Sequence, residues 1–190
     1  MKILHLAFAG AIALASFTGT ALAQAADNFI TITLKDGPVV VELRPDIAPK
    51  HVEQIKALAA AGEYDNVAFH RVIKGFMAQT GDVQYGDMEN GYQPQAAGTG
   101  GSSRPDVPAE FSDVPFERGT VGMARSQDPN SANSQFFIMF APGDFLNGQY
   151  TVVGKVVSGM ENVDKIKLGD DANNGSVTDP DRMISVKVGK

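Results

Sequence analysis

The chain has 190 residues, no cysteine and no tryptophan, and its 22 acidic against 16 basic side chains leave a formal charge of −6. That balance argues against nucleic acid or an anionic membrane as partner, since both select basic faces. Without cysteine there is neither a disulfide framework nor a lipid-anchored N-terminus, so stability must come from core packing and hydrogen bonds.

In chain order, Lys2 precedes an apolar run, Ile3 to Phe17, and Ala21-Leu22-Ala23 has the small-x-small spacing of a cleavage site. This predicts a signal peptide over 1–23, with the mature chain starting at Gln24. The run is short for a membrane-spanning helix and is interrupted by Thr18-Gly19-Thr20. Lys2 is the only charged side chain in this leader, so its removal leaves 167 residues with a charge of about −7, a length suited to one domain over 24–190. Asp27 to Leu43 reads as a β-hairpin: Phe29 to Leu34 alternates, Asp36-Gly37-Pro38 turns, and Val39 to Leu43 runs back. Ala48-Pro49 opens a helix in which Val52, Ile55, Leu58 and Ala59 share one face, with Gly62 as its stop. His51 and Glu53 are expected on the exposed face, as solvated surface rather than catalytic groups.

Phe69 to Asp82 is the most informative stretch. Its first part reads as a strand with Phe69, Arg71 and Ile73 on one face and His70 and Val72 on the other. A guanidinium among apolar neighbours is costly unless something holds it. Gln79 can be that holder, through its amide oxygen. Phe76 and Met77 would then form an apolar floor beside fixed N–H donors. This suits an apolar ligand that lacks an N–H and carries an amide to be polarised, as a prolyl peptide does. His70 is read as a packed, hydrogen-bonded histidine rather than a proton carrier.

Val83 to Phe111 follows as a long irregular segment rich in Gly, Pro, Gln and Asn, of the kind that is functional or mobile. Its Gly98-Thr99-Gly100-Gly101 lacks the Lys-Ser/Thr and the helix of a phosphate-binding loop, and close approach of an extended peptide explains the glycines better. Gly119 to Arg125, Ser134 to Phe140, Thr151 to Val157 and Met183 to Val188 read as further strands. Ser126 to Asn133 and Asp144 to Tyr150 are loops, the latter turning at Asn147-Gly148, and Met160 to Ile166 is a short helix. Phe136, Ile138 and Phe140 are assigned to the core, facing away from Gln135, Phe137 and Met139. Many short strands with two helices suggest a closed antiparallel barrel with helical caps.

Phe69-His70-Arg71 with Gln79-Thr80-Gly81-Asp82, then Gly119 to Ala124, Ser134 to Ile138, Leu146-Asn147-Gly148 and Val153 to Val156, in this order and over essentially the whole mature chain, resemble the cyclophilins. The resemblance implies a mainly β fold, a closed eight-stranded antiparallel β-barrel capped by two α-helices. It implies peptidyl-prolyl cis–trans isomerase activity, without cofactor or metal, on proline-containing peptides and unfolded exported proteins. With the signal sequence, the chain is similar to the periplasmic cyclophilins of Gram-negative bacteria, and a monomer is expected. By position, Arg71 takes the place of the catalytic arginine and Gln79 of the glutamine that positions it. Phe76, Met77, Phe137 and Leu146 match the proline pocket. Ala124, Arg125 and Gln135 match the groove wall, and Gly98 and Thr99 the side where the preceding residues lie. Tyr150 stands where many members have histidine. Phe145 stands where eukaryotic members have a tryptophan whose N–H binds cyclosporin, so cyclosporin is expected to bind weakly.

Other chemistries fit poorly. A serine hydrolase needs a histidine base and a nucleophile elbow, and the mature chain has only His51 and His70. Asp171 to Gly175 has the wrong spacing for an EF-hand. The serious rival is a cyclophilin-like chaperone that holds Pro-containing segments without turnover; Arg71 and Gln79 together favour catalysis over it.

Overall fold

The computed structural model describes residues 28–190, so the expected leader and its cleavage before Gln24 lie outside the described residues. Eight strands are present: β1 Phe29–Leu34, β2 Gly37–Leu43, β3 Arg71–Ile73, β4 Met77–Thr80, β5 Thr120–Met123, β6 Phe136–Met139, β7 Val152–Ser158 and β8 Ser185–Val188. Among the described residues two α-helices accompany them, α1 Pro49–Ala61 and α2 Met160–Val163, and no described helix is long and apolar enough to cross a membrane. The strands form one antiparallel sheet in the order β3-β4-β6-β5-β7-β2-β1-β8.

The expected closed barrel is not what forms. β3 and β8 are edges, each hydrogen-bonded to a single neighbour strand, and the sheet curls without closing. The seam between the two ends holds an isolated bridge, Ala68↔Arg182, with Phe69 N donating to Asp181 O at 2.8 Å and Met183 N to Val67 O at 2.9 Å. A ladder cannot extend from this bridge. Asn66 and Asp179 both have positive φ, and Pro180 supplies no N–H, so neither flank stays extended. The same irregularity shortens β3, which begins only at Arg71. Phe69 therefore packs in the main core together with Val72, rather than on the face of Arg71.

Within the sheet, alternation sends side chains to two cores. Phe136 and Ile138 join the main cluster, with Phe140 packed against it, while Phe137 and Met139 join a second cluster with Met77, Phe116, Leu146 and Val152. The first hairpin turns at Lys35-Asp36, one step earlier than its Asp-Gly-Pro sequence suggests, because Gly37 already pairs with Leu34. Helix α1 begins at Pro49 and ends at Gly62, whose left-handed backbone (φ 76°) caps it.

His51 corrects a second expectation: it is fully buried, while Glu53 is exposed as expected. The cause is Glu110, at the far end of the long irregular segment. Its carboxylate accepts from Lys50 N at 3.2 Å and His51 N at 3.1 Å, and lies 2.6 Å from His51 Nδ1. Glu110 thus caps a helix that has no side-chain cap of its own. Burial pushes the His51 imidazole below its ordinary value against the pull of Glu110. Burial raises the Glu110 carboxyl, but the His51 ring and the two amides together bring it below its usual value. A neutral His51 donating Nδ1–H to a carboxylate satisfies both shifts.

His70 is packed as expected, but it is not hydrogen-bonded: neither ring nitrogen has a partner. Gln135 lies beside it, yet its amide is committed to Gln79 and Gly100. Burial, opposed by the Asp82 charge, pushes the imidazole down to about 4.

Two consequences can be measured. Glu110→Ala leaves a helix terminus and a buried imidazole without their acceptor, and is expected to cost about 2–3 kcal/mol in denaturant unfolding. An unchanged midpoint would contradict this role. The buried histidines also set an acid limb. Their folded values lie below the unfolded value of about 6.5, so the unfolded chain binds more protons as pH falls. Stability is intact above pH ~6.5 and is lost on acidification down to pH ~4, where the His70 share approaches about 3 kcal/mol. His70→Phe is expected to make that limb shallower in unfolding curves at pH 7.5 and 4.5.

Candidate active site

The β3–β4 hairpin sets Arg71 directly opposite Gln79, so the two side chains stand on one face. Arg71 Nη1 donates to Gln79 Oε1 at 3.2 Å. Gln79 Nε2 donates to Gln135 Oε1 at 3.0 Å, and Gln135 Nε2 to Gly100 O at 2.8 Å. The chain of bonds ends at Asp82, a fully buried carboxylate. Asp82 accepts from Gly98 N at 2.7 Å, Gly100 N at 2.9 Å, Tyr85 N at 2.9 Å and Gln84 N at 3.1 Å. The amides of this glycine-rich loop are therefore spent on Asp82 rather than turned toward a phosphate.

The opposite edge of the guanidinium is held by Asn174, 103 residues away in sequence. Arg71 Nε donates to Asn174 O at 3.0 Å and Nη2 to Asn174 Oδ1 at 2.9 Å. Asn174 can offer both oxygens because it ends a short 3-10 turn, Asp171–Asn173, in the left-handed conformation (φ 51°). Three of the five Arg71 N–H groups are thus engaged, leaving one on each Nη. Burial lowers the guanidinium from its ordinary value, and it remains a cation at neutral pH.

Beside these free donors is a cavity of about 450 Å³. Met77, Phe137 and Leu146 belong to the second core and reach its wall; Phe76 and Tyr150 pack on them, with Ala124 adjoining. Phe137 is seated by Phe116, whose ring lies 5.7 Å away, and by the edge of Tyr150 at 6.0 Å. Gly122 makes room for this packing, since a Cβ there would lie 2.5 Å from the Phe116 ring and 2.6 Å from the Phe137 ring. Phe145 caps the rim: it is 64% exposed and its ring is 5.4 Å from that of Phe76.

A second cavity, about 360 Å³, adjoins the first and shares Gln79, Ala124 and Arg125 with it. Gly98, Thr99, Gly100 and Gln135 line its far side. Gly98 lies against His70, with a Cβ there only 3.0 Å from the imidazole, and its φ of 97° suits glycine alone. All thirteen residues expected at the site from the sequence line one or other of these two cavities. Asn174 and Asp82 were not among them. The Asn174-Gly175 pair is a visible turn signal, but nothing local shows that the turn faces Arg71.

The geometry is that of a shallow apolar socket with a fixed, uncancelled cation at its edge. Residues 29–188 match the family described as cyclophilin type peptidyl-prolyl cis-trans isomerase/CLD. A probable peptidyl-prolyl cis-trans isomerase of Brucella suis is 65% identical over 169 residues, covering 89% of this chain and 86% of that protein. Among solved structures, a Cryptosporidium parvum cyclophilin type isomerase, crystallised in the presence of the dipeptide Ala-Pro, aligns with a TM-score of 0.72 and 28% identity over 85% of this chain and 99% of that one. The cyclophilin AquaCyp293 of Hirschia baltica shares the fold at a TM-score of 0.70 and 24% identity, over 92% and 81% of the respective chains. The eight-stranded sheet and the match along the whole described domain make this chain a member of the cyclophilin-type peptidyl-prolyl cis–trans isomerases.

Proposed function

We propose that this isomerase turns X–Pro bonds by seating the proline ring against Met77, Phe137 and Leu146, with Phe76 alongside, while Arg71 acts on the prolyl amide. One observation carries the reading: a guanidinium held only by neutral oxygens, with a donor free on each Nη, at the edge of an apolar cavity.

Rotation about a peptide bond is slow because resonance stiffens it, with a barrier of roughly 18–20 kcal/mol. In the twisted transition state the prolyl nitrogen becomes pyramidal and regains a lone pair. Arg71 donates to that lone pair, an interaction the planar ground state lacks, so the bond lowers the barrier rather than merely holding substrate. Lowering the barrier by roughly 7 kcal/mol corresponds to about 10⁵-fold. The ring stays fixed and the acyl side turns, so no acid, nucleophile or cofactor takes part.

Gln79 and Asn174 act through Arg71 and are positioning residues. The leader pattern supports exported, proline-containing client proteins in the periplasm. Phe145 keeps an aromatic rim but offers no N–H, which supports weak binding of cyclosporin.

The test is turnover of a short Ala-Pro peptide. Arg71→Ala is expected to lower kcat/KM by roughly 10²–10³-fold, as for other lost transition-state donors. Asn174→Gly keeps the left-handed backbone and its carbonyl but removes Oδ1, and should cost roughly 2–10-fold in kcat with little change in KM. Intact turnover in Arg71→Ala would refute the mechanism.

A further inference from the structure

The walls of both cavities carry two cations, Arg71 and Arg125, and among the described residues no carboxylate. This is unusual for a chain with a net charge of −6. Among the described residues Arg44, Arg118 and Arg182 each pair with an Asp or Glu and Arg104 donates to the Gln54 amide, whereas the two groove arginines, which have no carboxylate within ion-pair distance, face the cavities. The groove walls therefore present positive charge on an acidic protein, offset on the far side only by the Asp82 carboxylate buried beneath the Gly98 and Gly100 amides.

Arg125 stands on the wall that the two cavities share. Its Nη1 donates to Ser126 O at 2.8 Å and to Gln127 O at 3.4 Å, and its Nη2 to Gln149 O at 2.9 Å. The Tyr150 ring lies 4.3 Å from the guanidinium carbon, and the buried Nε has no partner. Asp128, three residues on, accepts instead from Asn130 N at 2.9 Å. Carbonyls and a ring face orient this cation but cancel none of its charge. By donor count, an Nη2 hydrogen and Nε–H remain uncommitted.

We propose that Arg125 is a specificity-determining residue that attracts a client carboxylate, so that the enzyme favours prolines preceded within a few residues by Asp or Glu. The proposal rests on reading the groove as the prolyl-peptide site, with the preceding residues running past Ala124 toward Gly98 and Thr99. A lysine on the same stretch meets an unscreened like charge and is disfavoured.

The experiment uses N-acetylated, C-amidated X-Ala-Pro-Phe peptides with X as Glu, Gln or Lys. Isomerisation is followed by NMR exchange and affinity by calorimetry, for the wild-type chain and for Arg125→Gln. The Glu peptide is expected to exceed the Gln peptide by roughly three- to tenfold, with Lys lowest, as befits one half-exposed ion pair. The spread should shrink at about 0.5 M salt, where the Debye length falls to a few ångströms, and again in Arg125→Gln, whatever that variant does to the neutral peptide. Three equal peptides, or a spread that Arg125→Gln leaves unchanged, would overturn the proposal. If the variant does not fold, a wild-type spread that salt leaves unchanged still overturns the proposal. Affinities that keep the order in the absence of any turnover would uphold Arg125 and count against the isomerase mechanism instead.

Discussion

The arrangement of this molecule follows from the difficulty of keeping Arg71 both fixed and chemically available. A carboxylate partner would fix it most strongly, but would also neutralise the charge that the proposed mechanism brings to the prolyl nitrogen. Neutral oxygens orient the guanidinium and leave its charge intact, at the cost that each acceptor must itself be held. Gln79 is held by Gln135, and Gln135 by the Gly100 carbonyl. Asn174 is held by a turn whose Gly175 bonds to Val72 through its carbonyl at 2.8 Å. The site is thus a relay of amides in which each acceptor that orients Arg71 is itself held, while one donor on each Arg71 Nη stays free.

Two acidic side chains do for the long segment from Val83 to Phe111 what ladders do for the strands. Asp82 gathers four backbone N–H groups from both ends of one loop. Glu110 ties the end of the segment to the start of α1, and its own N–H donates to Thr151 Oγ1 at 3.0 Å. Irregular backbone must still pair its polar groups when it is buried, and a carboxylate can accept several N–H groups at once. The groove wall at Gly98 to Gly101 is therefore anchored from beneath, by Asp82, as well as from the side, by Gln135. The open sheet is compatible with this, because the seam between β3 and β8 leaves the turn at Asn174 free to fold back on Arg71.

Much of this was legible in the chain itself. Period-two alternation separated Phe136 and Ile138 from Phe137 and Met139 before any contact was known, because a strand has only two faces. Proline and glycine marked both ends of α1 for reasons of backbone geometry alone. The closeness of Gln79 to Arg71 in sequence was enough to suggest a pair. These are local properties, set by a few consecutive dihedral angles or by one hairpin, and sequence order states them directly.

What the sequence could not decide were the encounters between distant segments. His51 looked like surface because helical periodicity says nothing of a glutamate 59 residues away that arrives to cover it. Asn174 gave only a turn signal, and its partner lies 103 residues back. Strand count implied a barrel, yet closure depended on whether residues 66–69 and 179–183 could run extended side by side, and left-handed Asn66 and Asp179 with Pro180 prevent it. By itself the sequence indicated most of the strands, the first helix, the two faces of the Phe136 strand and the residues expected at the site. Only the tertiary structure decided which neutral oxygens hold Arg71, which carboxylates are buried and where the sheet ends, because those depend on chain closure over long separations rather than on local conformational preference.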